Sequence, residues 1–445
     1  MRKTSFFYGK KRKNLIKRIN GKLFWALAWL VLMDRALSVN LIQKKEKLQE
    51  VQEAADKEAA DKEAANKEAA GKEERKAEGN IDAGNSVRTI RVLLMDSDFQ
   101  SYYHRQVRFA AGGKEYCFSE ETDIMEDMLF EGGEDGITLY SVRRQEGFPV
   151  YKGALKIQKE PEGFLLINIL PLETYLEGVV PSEMPSSYQE EALKAQAICA
   201  RTYACRQMEE GRLEEYGADV DDSVNYQVYN NIDQTDSTTD AVHQTAGQVL
   251  CQNGELIEAY YFSTSAGVTS TDEVWGAEEA AAYLQSVVCP FDADAPWGSW
   301  SVEIPWDILQ ERAQGLDACS GTLESLEIVR KSLSGVVTGV NINTENGNAF
   351  LENEYKIRQF FSPKGQEITE KNGERVQGGE LLPSAYFSMN VIPKRSVLIE
   401  GKGYGHGVGM SQNAADQMAK EGYTCEEILN YFFKDIEIVR LDGVL

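Results

Sequence analysis

The sequence predicts an α+β fold in which mixed short strands are combined with a few helices. Short apolar segments of strand length recur between residues 90 and 170 and are separated by glycine turns. Helix start and stop signals appear in four places further along the chain. Strands and helices do not alternate regularly, so a parallel βαβ array is not expected. A membrane-anchor segment and a helical spacer are predicted ahead of this body.

Length and charge limit the class of protein. A chain of 445 residues holds two or three domains, or one large domain with appendages. The formal net charge is −24, yet the first 22 residues contain nine Lys or Arg and no acidic residue. The rest of the chain therefore carries a charge of −33. Such an acidic body repels phosphate backbones, so nucleic-acid binding is not expected.

Residues 1–40 are predicted to address the chain to a membrane. The basic residues precede an apolar run of eleven residues, 23–33, with the sequence LFWALAWLVLM. This run is shorter than the roughly 20 residues of a membrane span, and it is typical of a signal sequence. Residues 23–39 would form the part of the chain that enters the membrane. The basic flank stays in the cytoplasm, so the body is exported. Two outcomes stay open: an uncleaved single-pass anchor in the cell membrane, and secretion after cleavage near residues 36–38.

Residues 41–86 are predicted to form a charged, alanine-rich helical linker. Residues 53–72 contain four five-residue repeats, EAADK EAADK EAANK EAAGK. Each Glu precedes a Lys by four residues, which is the favourable order on a helix, and alanine adds helix propensity. There is no apolar stripe, so we expect a solvated, semi-rigid spacer of roughly 30 Å that holds the body away from the bilayer.

Residues 87–445 have the composition of a globular body. Strands are expected at residues 90–95, 151–157 and 164–170. Four helices are expected, at residues 187–208, 237–245, 411–422 and from residue 424 onward. The first and the last begin with capping boxes, Ser187 with Glu190 and Thr424 with Glu427.

The seven cysteines show no CxxC pair and no metal-ligand spacing. Cys199 and Cys205 are expected to share one helix, about 9 Å apart along its axis, which is too far for a disulfide. We interpret the set as mostly buried thiols. One disulfide among the others stays open.

The most informative stretch for chemistry is residues 170–206, LPLETYLEGVVPSEMPSSYQEEALKAQAICARTYACR. It reads as a strand end, an acidic turn at residues 182–185 and a long helix. Glu183 lies beside Met184 and two prolines, and it would face a helix side that bears Lys194 and Arg201. A carboxyl that protonates a glycosidic oxygen needs the raised pKa that such a setting gives. The alternative is an acid that only stabilises a helix amino end.

A second candidate is the alternating glycine run at residues 401–410, GKGYGHGVGM, which is followed by Ser411 and Gln412. If it is extended, Tyr404 and His406 share one face, and the other face is bare backbone that a ligand or another strand can approach. The run matches no phosphate-binding motif. His406 as a ligand contact and His406 as a structural residue both stay open.

A third candidate is the segment YFSTSAG at residues 261–267. It has no GxSxG elbow, and the chain has only three histidines, so a serine hydrolase is not expected. Ser263 and Thr264 are better suited to lining a sugar groove. Four tryptophans lie within residues 275–306, where stacking on sugars and core packing are both open.

Together these stretches resemble the stage II sporulation protein D family, that is, the SpoIID/LytB domain. The matching motifs are LPLETYLEGVVPSEMP, AQAICARTYA, AVHQTAGQVL, YFSTSAG, KIRQFF and GYGHGVGMSQNAADQMA. They occur in this order from residue 87 to about residue 438, and the first and last are very specific.

The resemblance implies a peptidoglycan lytic transglycosylase, a lyase that prefers glycan strands stripped of stem peptides and acts during sporulation engulfment. The acid/base of the family is the Glu of the SEMP motif, here Glu183. It would protonate the oxygen between N-acetylmuramic acid and N-acetylglucosamine, and then take the proton of the muramoyl C6 hydroxyl as a 1,6-anhydro ring closes. The predicted groove residues are Lys194, Arg201, Ser263, Thr264, Tyr404, His406 and Gln412.

The resemblance also implies partners, a stem-stripping amidase and a membrane scaffold protein. Some relatives bind zinc ahead of the QVY motif, but residues 216–229 contain no His or Cys here, so no metal or cofactor is predicted. Ala266 replaces a glycine, and Asn413 stands where an aromatic residue is common. Two other interpretations stay open: a non-catalytic wall-binding module that enhances a partner amidase, and a structural tether between membrane and wall.

Overall fold

The first strands of the body form two antiparallel sheets that share a core. This computed structural model describes residues 88–122, 127–230 and 235–441, so the predicted anchor and linker lie outside the described residues. The strands are β1 (Thr89–Leu93), β2 (Gln106–Ala111), β3 (Lys114–Ser119), β4 (Met128–Glu131), β5 (Ile137–Leu139), β6 (Val150–Tyr151), β7 (Ala154–Glu160), β8 (Gly163–Pro171) and β9 (Val220–Asp221).

The strand orders are β4-β7-β8-β1-β9 and β3-β2-β5-β6, and only β9 runs parallel to its neighbour. The predicted strands at residues 90–95 and 164–170 are confirmed. The predicted strand at residues 151–157 is interrupted by Gly153, which has φ +77° and no room for a side chain beside the carbonyl oxygen of Ile169.

The described part of the chain contains seven α-helices, five of which belong to the main core. The seven are α1 (Leu172–Glu183), α2 (Glu190–Glu210), α3 (Asp236–Gln244), α4 (Trp306–Gln314), α5 (Glu354–Phe360), α6 (Gln412–Lys420) and α7 (Cys425–Phe432). The four predicted helices correspond to α2, α3, α6 and α7. The capping box at Thr424 and Glu427 is confirmed. The mixed α+β architecture is confirmed as well.

The predicted capping box at the start of α2 is wrong. The helix begins at Glu190, and its N-cap Gln189 makes no side-chain capping bond. Instead, the backbone N–H of Gln189 donates to Oδ1 of Asp416 at 2.8 Å. A carboxylate from α6 therefore satisfies the N-terminus of α2, and Ser187 lies outside the helix.

Helix α1 was missed by the sequence analysis, which places a strand end and a turn here. Its buried residues Leu172, Tyr175, Leu176, Val179 and Val180 repeat with helical spacing. A proline sits in its last turn, but the long apolar face packs onto the core and keeps the segment helical.

The remaining strands divide between the main core and a second one. The strands that complete the main body are β10 (Gln248–Gln252), β11 (Glu255–Leu256), β12 (Tyr261–Phe262), β21 (Met410–Ser411) and β22 (Glu437–Arg440). They form a sheet in the order β11-β10-β22 and a parallel pair of β12 with β21.

Residues 300–401, here called the second lobe, have a separate apolar core. Its strands are β13 (Trp300–Pro305), β14 (Leu323–Lys331), β15 (Val337–Thr344), β16 (Gly347–Glu352), β17 (Glu367–Glu370), β18 (Arg375–Gln377), β19 (Phe387–Ile392) and β20 (Ser396–Gly401). They form two sheets, β18-β17-β13-β20-β19 and β14-β15-β16, and helices α4 and α5 belong to this lobe.

The aromatic and thiol predictions can be placed on this fold. Trp300 and Trp306 are buried in the second core, whereas Trp275 and Trp297 are half-buried. All seven cysteines are free, and Cys199 and Cys205 share α2 as predicted. Among the described residues, no helix has the length and apolarity that a bilayer crossing requires.

Candidate active site

Glu183 is the last residue of α1, and its position is fixed by the way in which that helix ends. Met184 is extended, with φ −127° and ψ 134°. A residue that precedes a proline is driven out of the helical region, and Pro185 follows Met184. The carboxyl therefore projects from a helix end, and not from the turn that the sequence predicts.

One oxygen of the Glu183 carboxyl is held by two donors from distant parts of the chain. The backbone N–H of Val228 donates to Oε1 at 2.7 Å, and the hydroxyl of Tyr261 donates to the same oxygen at 3.2 Å. No residue in the described ranges donates to Oε2. The carboxyl is thus oriented through Oε1, and Oε2 is the oxygen that can exchange a proton with a ligand.

The hydroxyl of Tyr261 is oriented by a buried amide. Nε2 of Gln227 donates to this hydroxyl at 3.0 Å and to the carbonyl of Ala200 at 3.2 Å. The hydroxyl of Tyr175 donates to Oε1 of Gln227 at 3.2 Å, which fixes the amide. Because the Tyr261 oxygen accepts from Gln227, its own proton is directed at Glu183.

Burial raises the pKa of Glu183 from its usual value to about 7. The hydrogen bonds from Val228 and Tyr261 favour the charged form and act in the opposite direction, but desolvation is the larger effect. Glu183 is half-buried, so part of the residue is accessible to solvent. A carboxyl with this pKa can both donate and accept a proton near neutral pH.

The loop that supplies Val228 packs directly against the end of α1. The ring of Tyr229 lies so close to Gly178 that a Cβ on this glycine would be 2.5 Å from the ring. The hydroxyl of Ser182 donates to the carbonyl of Gly178 at 2.7 Å and accepts from the N–H of Asn230 at 3.2 Å. A side chain at position 178 would therefore displace the loop that orients Glu183.

The glycine run does not form the extended strand considered in the sequence analysis. Gly403, Gly405, Gly407 and Gly409 have φ between 78° and 108°, a region that favours glycine. A Cβ on Gly409 would lie 2.1 Å from the carbonyl oxygen of Tyr260. The segment that ends in β12 therefore packs closely against the glycine backbone. The sequence left open whether a ligand or another segment of the chain would do so.

His406 packs in an aromatic cluster beside the Glu183 site. Its ring lies 5.1 Å from that of Trp275 and 5.7 Å from that of Phe262. Nδ1 accepts from the N–H of Val408 at 3.1 Å. Burial and the nearby Arg358 lower the pKa of His406 to about 3, so the ring is neutral. These contacts favour a role in holding the glycine run against β12.

Tyr404 is an exposed aromatic residue of the glycine run. Its side chain is 42% exposed, and its ring centroid lies 4.7 Å from that of Trp297. Trp297 is half-buried, so both residues are accessible to solvent, as stacking on a sugar ring requires.

Ser263 and Thr264 meet a residue from the other end of the chain. Nδ2 of Asn413 donates to the carbonyl of Ser263 and to Oγ1 of Thr264, each at 3.1 Å, and its Oδ1 accepts from Tyr188 at 2.7 Å. Thr264 is buried, whereas Ser263 is half-buried and follows Tyr261 by two residues, on the same side of the segment. Of the two, Ser263 is the better placed for a ligand.

The predictions for Arg201 and Gln412 are corrected by burial. The Arg201 side chain is fully buried and pairs with Glu173 at 2.7 Å, so it holds α1 against α2 and does not line an open groove. Gln412 is 7% exposed and donates to Gln196 within the core. Both residues support the site only through packing.

Lys194 is half-buried, but its ammonium is paired within its own helix. Nζ lies 2.7 Å from a carboxylate oxygen of Glu190 and 2.8 Å from one of Glu191. The carboxylate of Glu191 in turn accepts from the N–H of Cys425 at the start of α7. Lys194 therefore ties α2 to α7, and contact with substrate stays a prediction.

Among the residues that the structure describes, no serine triad comes together. His104 bonds the carbonyl of Leu94, and His243 bonds the carboxylate of Glu177. In the described ranges, no cluster of three or more His, Cys, Asp or Glu side chains is arranged to hold a metal ion.

The residues that sequence reasoning missed are those that orient Glu183. Val228 and Gln227 belong to the segment NYQVYN, and Tyr261 opens the YFSTSAG block. The blocks were recognised, but their contacts span 45 and 78 residues of chain. The sequence signal for the Tyr261 contact was its position two residues before Ser263, which places both on the same side of an extended segment.

Replacing Tyr261 by phenylalanine is expected to move the pKa of Glu183 further upward. The hydroxyl of Tyr261 favours the charged carboxylate of Glu183, so removal of this hydroxyl favours the protonated form. The high-pH limb of the activity profile should shift to higher pH, with a smaller loss of activity than any change at Glu183. Steady-state rates across pH test this, and an unshifted limb would contradict the assigned contact.

Comparison with known proteins places the chain in a family. The family model described as stage II sporulation protein (SpoIID) matches residues 160–251. Stage II sporulation protein D of Bacillus subtilis is 32% identical over 322 residues, which cover 67% of this chain and 84% of that protein. The protein of the same name from Bacillus amyloliquefaciens is 32% identical over 296 residues, 63% of this chain and 77% of that protein.

A further relative has a different name. The amidase enhancer of Bacillus subtilis is 30% identical over 290 residues, which cover 58% of this chain and 39% of that protein. The match to the stage II proteins spans most of both chains. The chain therefore belongs to the stage II sporulation protein D family.

Proposed function

We propose that this protein is a peptidoglycan lytic transglycosylase with Glu183 as its single acid/base. The observation that supports this most directly is the half-buried carboxyl with a pKa of about 7, oriented through Oε1 by Val228 and Tyr261. Its substrate would be glycan strands, preferably stripped of stem peptides.

The reaction needs only one carboxyl group. Protonated Oε2 of Glu183 donates to the oxygen that leaves muramoyl C1, and the glycosidic C–O bond breaks. The carboxylate then takes the proton of the muramoyl C6 hydroxyl. At the same time the C6 oxygen bonds to C1 and closes the 1,6-anhydro ring. The proton is returned, no water is consumed, and the enzyme is ready for another cycle. Fixed Oε1 contacts keep Oε2 in place during both transfers.

The pH dependence follows from the first step. The free enzyme must hold Glu183 protonated, and burial raises the pKa of this group to about 7. We therefore expect kcat/KM on glycan to be flat below this pH and to fall about tenfold per unit above it. A profile that rises through pH 7 would contradict a general acid at this position.

The direct test uses the fragment from residue 87 onward and glycan strands freed of peptides. Product masses are expected to correspond to 1,6-anhydro ends. Products with reducing ends formed by water would indicate a hydrolase, and intact strands would sink the enzymatic proposal.

The setting is proposed from the relatives and from the amino-terminal sequence. We propose a role in sporulation engulfment, with residues 1–40 as a single-pass anchor, residues 41–86 as a spacer and the catalytic region outside the cell membrane. Partners would be a stem-stripping amidase and a membrane scaffold protein. Secretion after signal cleavage is the alternative, and the mass of the mature amino terminus distinguishes the two.

A second candidate is a wall-binding module that enhances a partner amidase. The similarity to the amidase enhancer supports it. It predicts glycan binding and stimulation of an amidase without anhydro products, with or without Glu183. Two results together would favour this module: the wild type gives no lyase product, and the partner amidase is still stimulated when Glu183 is replaced.

A further inference from the structure

A cleft of about 570 Å³ lies on the second lobe. Its lining includes none of the residues that bond to Glu183. A volume in this range accommodates a small organic molecule or a short stretch of polymer, and it far exceeds the needs of one inorganic anion.

The floor of the cleft is a row of polar side chains across four strands. The strand register places Thr369 opposite Ser301, Ser301 opposite Glu400, and Glu400 opposite Ser388. Side chains of directly paired residues project from the same face of a sheet, so three hydroxyls and one carboxylate stand side by side. Trp300 and Phe387 of the neighbouring row also line the cleft, so it offers apolar as well as polar surface.

Three lysines border this polar floor. Nζ of Lys331 donates to the carbonyl of Phe387 at 2.9 Å, and Nζ of Lys371 pairs with Asp294 at 2.6 Å. Lys402 is exposed, and its ammonium has no hydrogen-bond or ion-pair partner among the residues described. Two carboxylates, Glu370 and Glu400, also line the cleft, so the cation that stays available to an acidic ligand is Lys402.

The cleft and the Glu183 site are joined by the glycine run. Lys402 is the second residue of the run, and its N–H donates to the carbonyl of Tyr386, which also lines the cleft. The other end of the run, Met410, pairs with Tyr261, the residue that donates to Glu183. Lys402 and Met410 are eight steps apart in the sequence, so the chain between them spans at most about 30 Å.

We propose that this cleft is a second, non-catalytic binding site for a carboxylate-bearing section of a glycan strand. The inference rests on the proposed function, since it assigns the same strand to both sites. Hydroxyls and a carboxylate suit the hydroxyl and amide groups of sugars, the aromatic lining suits their apolar faces, and the ammonium of Lys402 pairs with a sugar carboxylate. A strand held there is retained between cleavage events, so binding of long strands gains from two contacts at once.

The test compares Lys402→Glu with Lys394→Glu as a matched control. Lys394 is exposed in the turn between β19 and β20, at the opposite end of the same hairpin. Both changes are made in a Glu183→Gln background so that the ligand is not consumed. The probe is a soluble, peptide-free glycan strand, offered either with free muramoyl carboxylates or with these groups methylated to neutral esters.

Lys402→Glu is expected to weaken binding of the acidic strand about fivefold to tenfold, while Lys394→Glu leaves it unchanged. The esterified strand should bind both variants alike. Ser301→Trp, which fills the floor without a change in charge, should weaken binding of both strands. Equal affinity of the Lys402 and Lys394 variants for the acidic strand would overturn the cleft proposal, as would a preference for a phosphate-bearing polymer over the acidic glycan.

Failure of the cleft proposal is distinguishable from failure of the catalytic one. With Glu183 intact, Lys402→Glu should cleave a tetrasaccharide, which is too short for both sites, at the wild-type rate. No anhydro product from the wild type, together with a Lys402 effect on binding, would refute catalysis and leave the cleft supported. Normal turnover without any Lys402 effect would refute the cleft alone.

Discussion

Glu183→Gln is expected to abolish the formation of 1,6-anhydro products from denuded glycan, with a loss of about 10²–10⁴-fold or more. Glutamine keeps an oxygen that can accept from Val228 and Tyr261, so the geometry of the helix end is retained. It has no proton to give to the leaving oxygen and no basic oxygen to take one back. Mass spectrometry of the released products measures the loss.

The matched control is Glu177→Gln. Glu177 lies in the same helix, but its carboxylate pairs with the exposed His243 on the outside of the site. This variant should retain product formation. Equal activity of the two variants would remove the acid/base role from Glu183.

The same substitution should also change stability in a pH-dependent way. Burial raises the pKa of Glu183 to about 7 in the folded state, so the wild type loses stability as pH rises from its unfolded pKa toward 7. Glu183→Gln avoids this cost. Above pH 7 it should therefore be more stable by about 1–3 kcal/mol, with no difference below about pH 4, since the half-buried group is partly solvated. Denaturant unfolding at both pH values checks this and shows that the variant is folded.

Arg201→Ala is expected to have the largest effect on stability, a loss of about 3–5 kcal/mol. The guanidinium is fully buried and makes a two-point contact with Glu173. It also donates to the carbonyls of Val242 and Gln248. One side chain thus joins α1, α2, α3 and β10, and its removal takes a charged donor from several buried or half-buried acceptors at once.

The control for this change is Arg212→Ala. Its side chain is 61% exposed and pairs with Glu210, a surface ion pair whose loss should cost less than about 1 kcal/mol. Urea unfolding of both variants measures the difference. An Arg201 variant that unfolds at the same midpoint as the Arg212 variant would show that the buried ion pair contributes little, and would reopen a role for Arg201 in substrate contact.

Local signals in the sequence predicted the elements that form from local contacts. Helix α7 begins where Thr424 and Glu427 form a capping box, and β8 follows its apolar segment. Helix α1 was missed because Pro181 suggests a turn, although its apolar residues have helical spacing. Helix α2 starts later than predicted, since Asp416 from another helix supplies the cap that Ser187 was expected to give.

The surroundings of Glu183 could not be predicted in the same way. Its partners come from positions 45 and 78 residues further along the chain, and no periodicity reports such a meeting. Lys194 and Arg201 lie on the same helix, but Arg201 is buried against Glu173 of α1, whereas the Lys194 ammonium pairs with Glu190 and Glu191 of its own helix. The burial of Arg201 depends on the packing of α1, which the spacing of the two residues does not report.

The sequence by itself determined the mixed α+β class, the family and the single carboxyl on which the proposed chemistry depends, because these reside in local order and in specific motifs. Only the tertiary structure decided which oxygen of that carboxyl is anchored, which predicted cations are buried, and where the polar cleft of the second lobe lies. These features depend on contacts between residues far apart in the chain, and desolvation and hydrogen bonding act through those contacts.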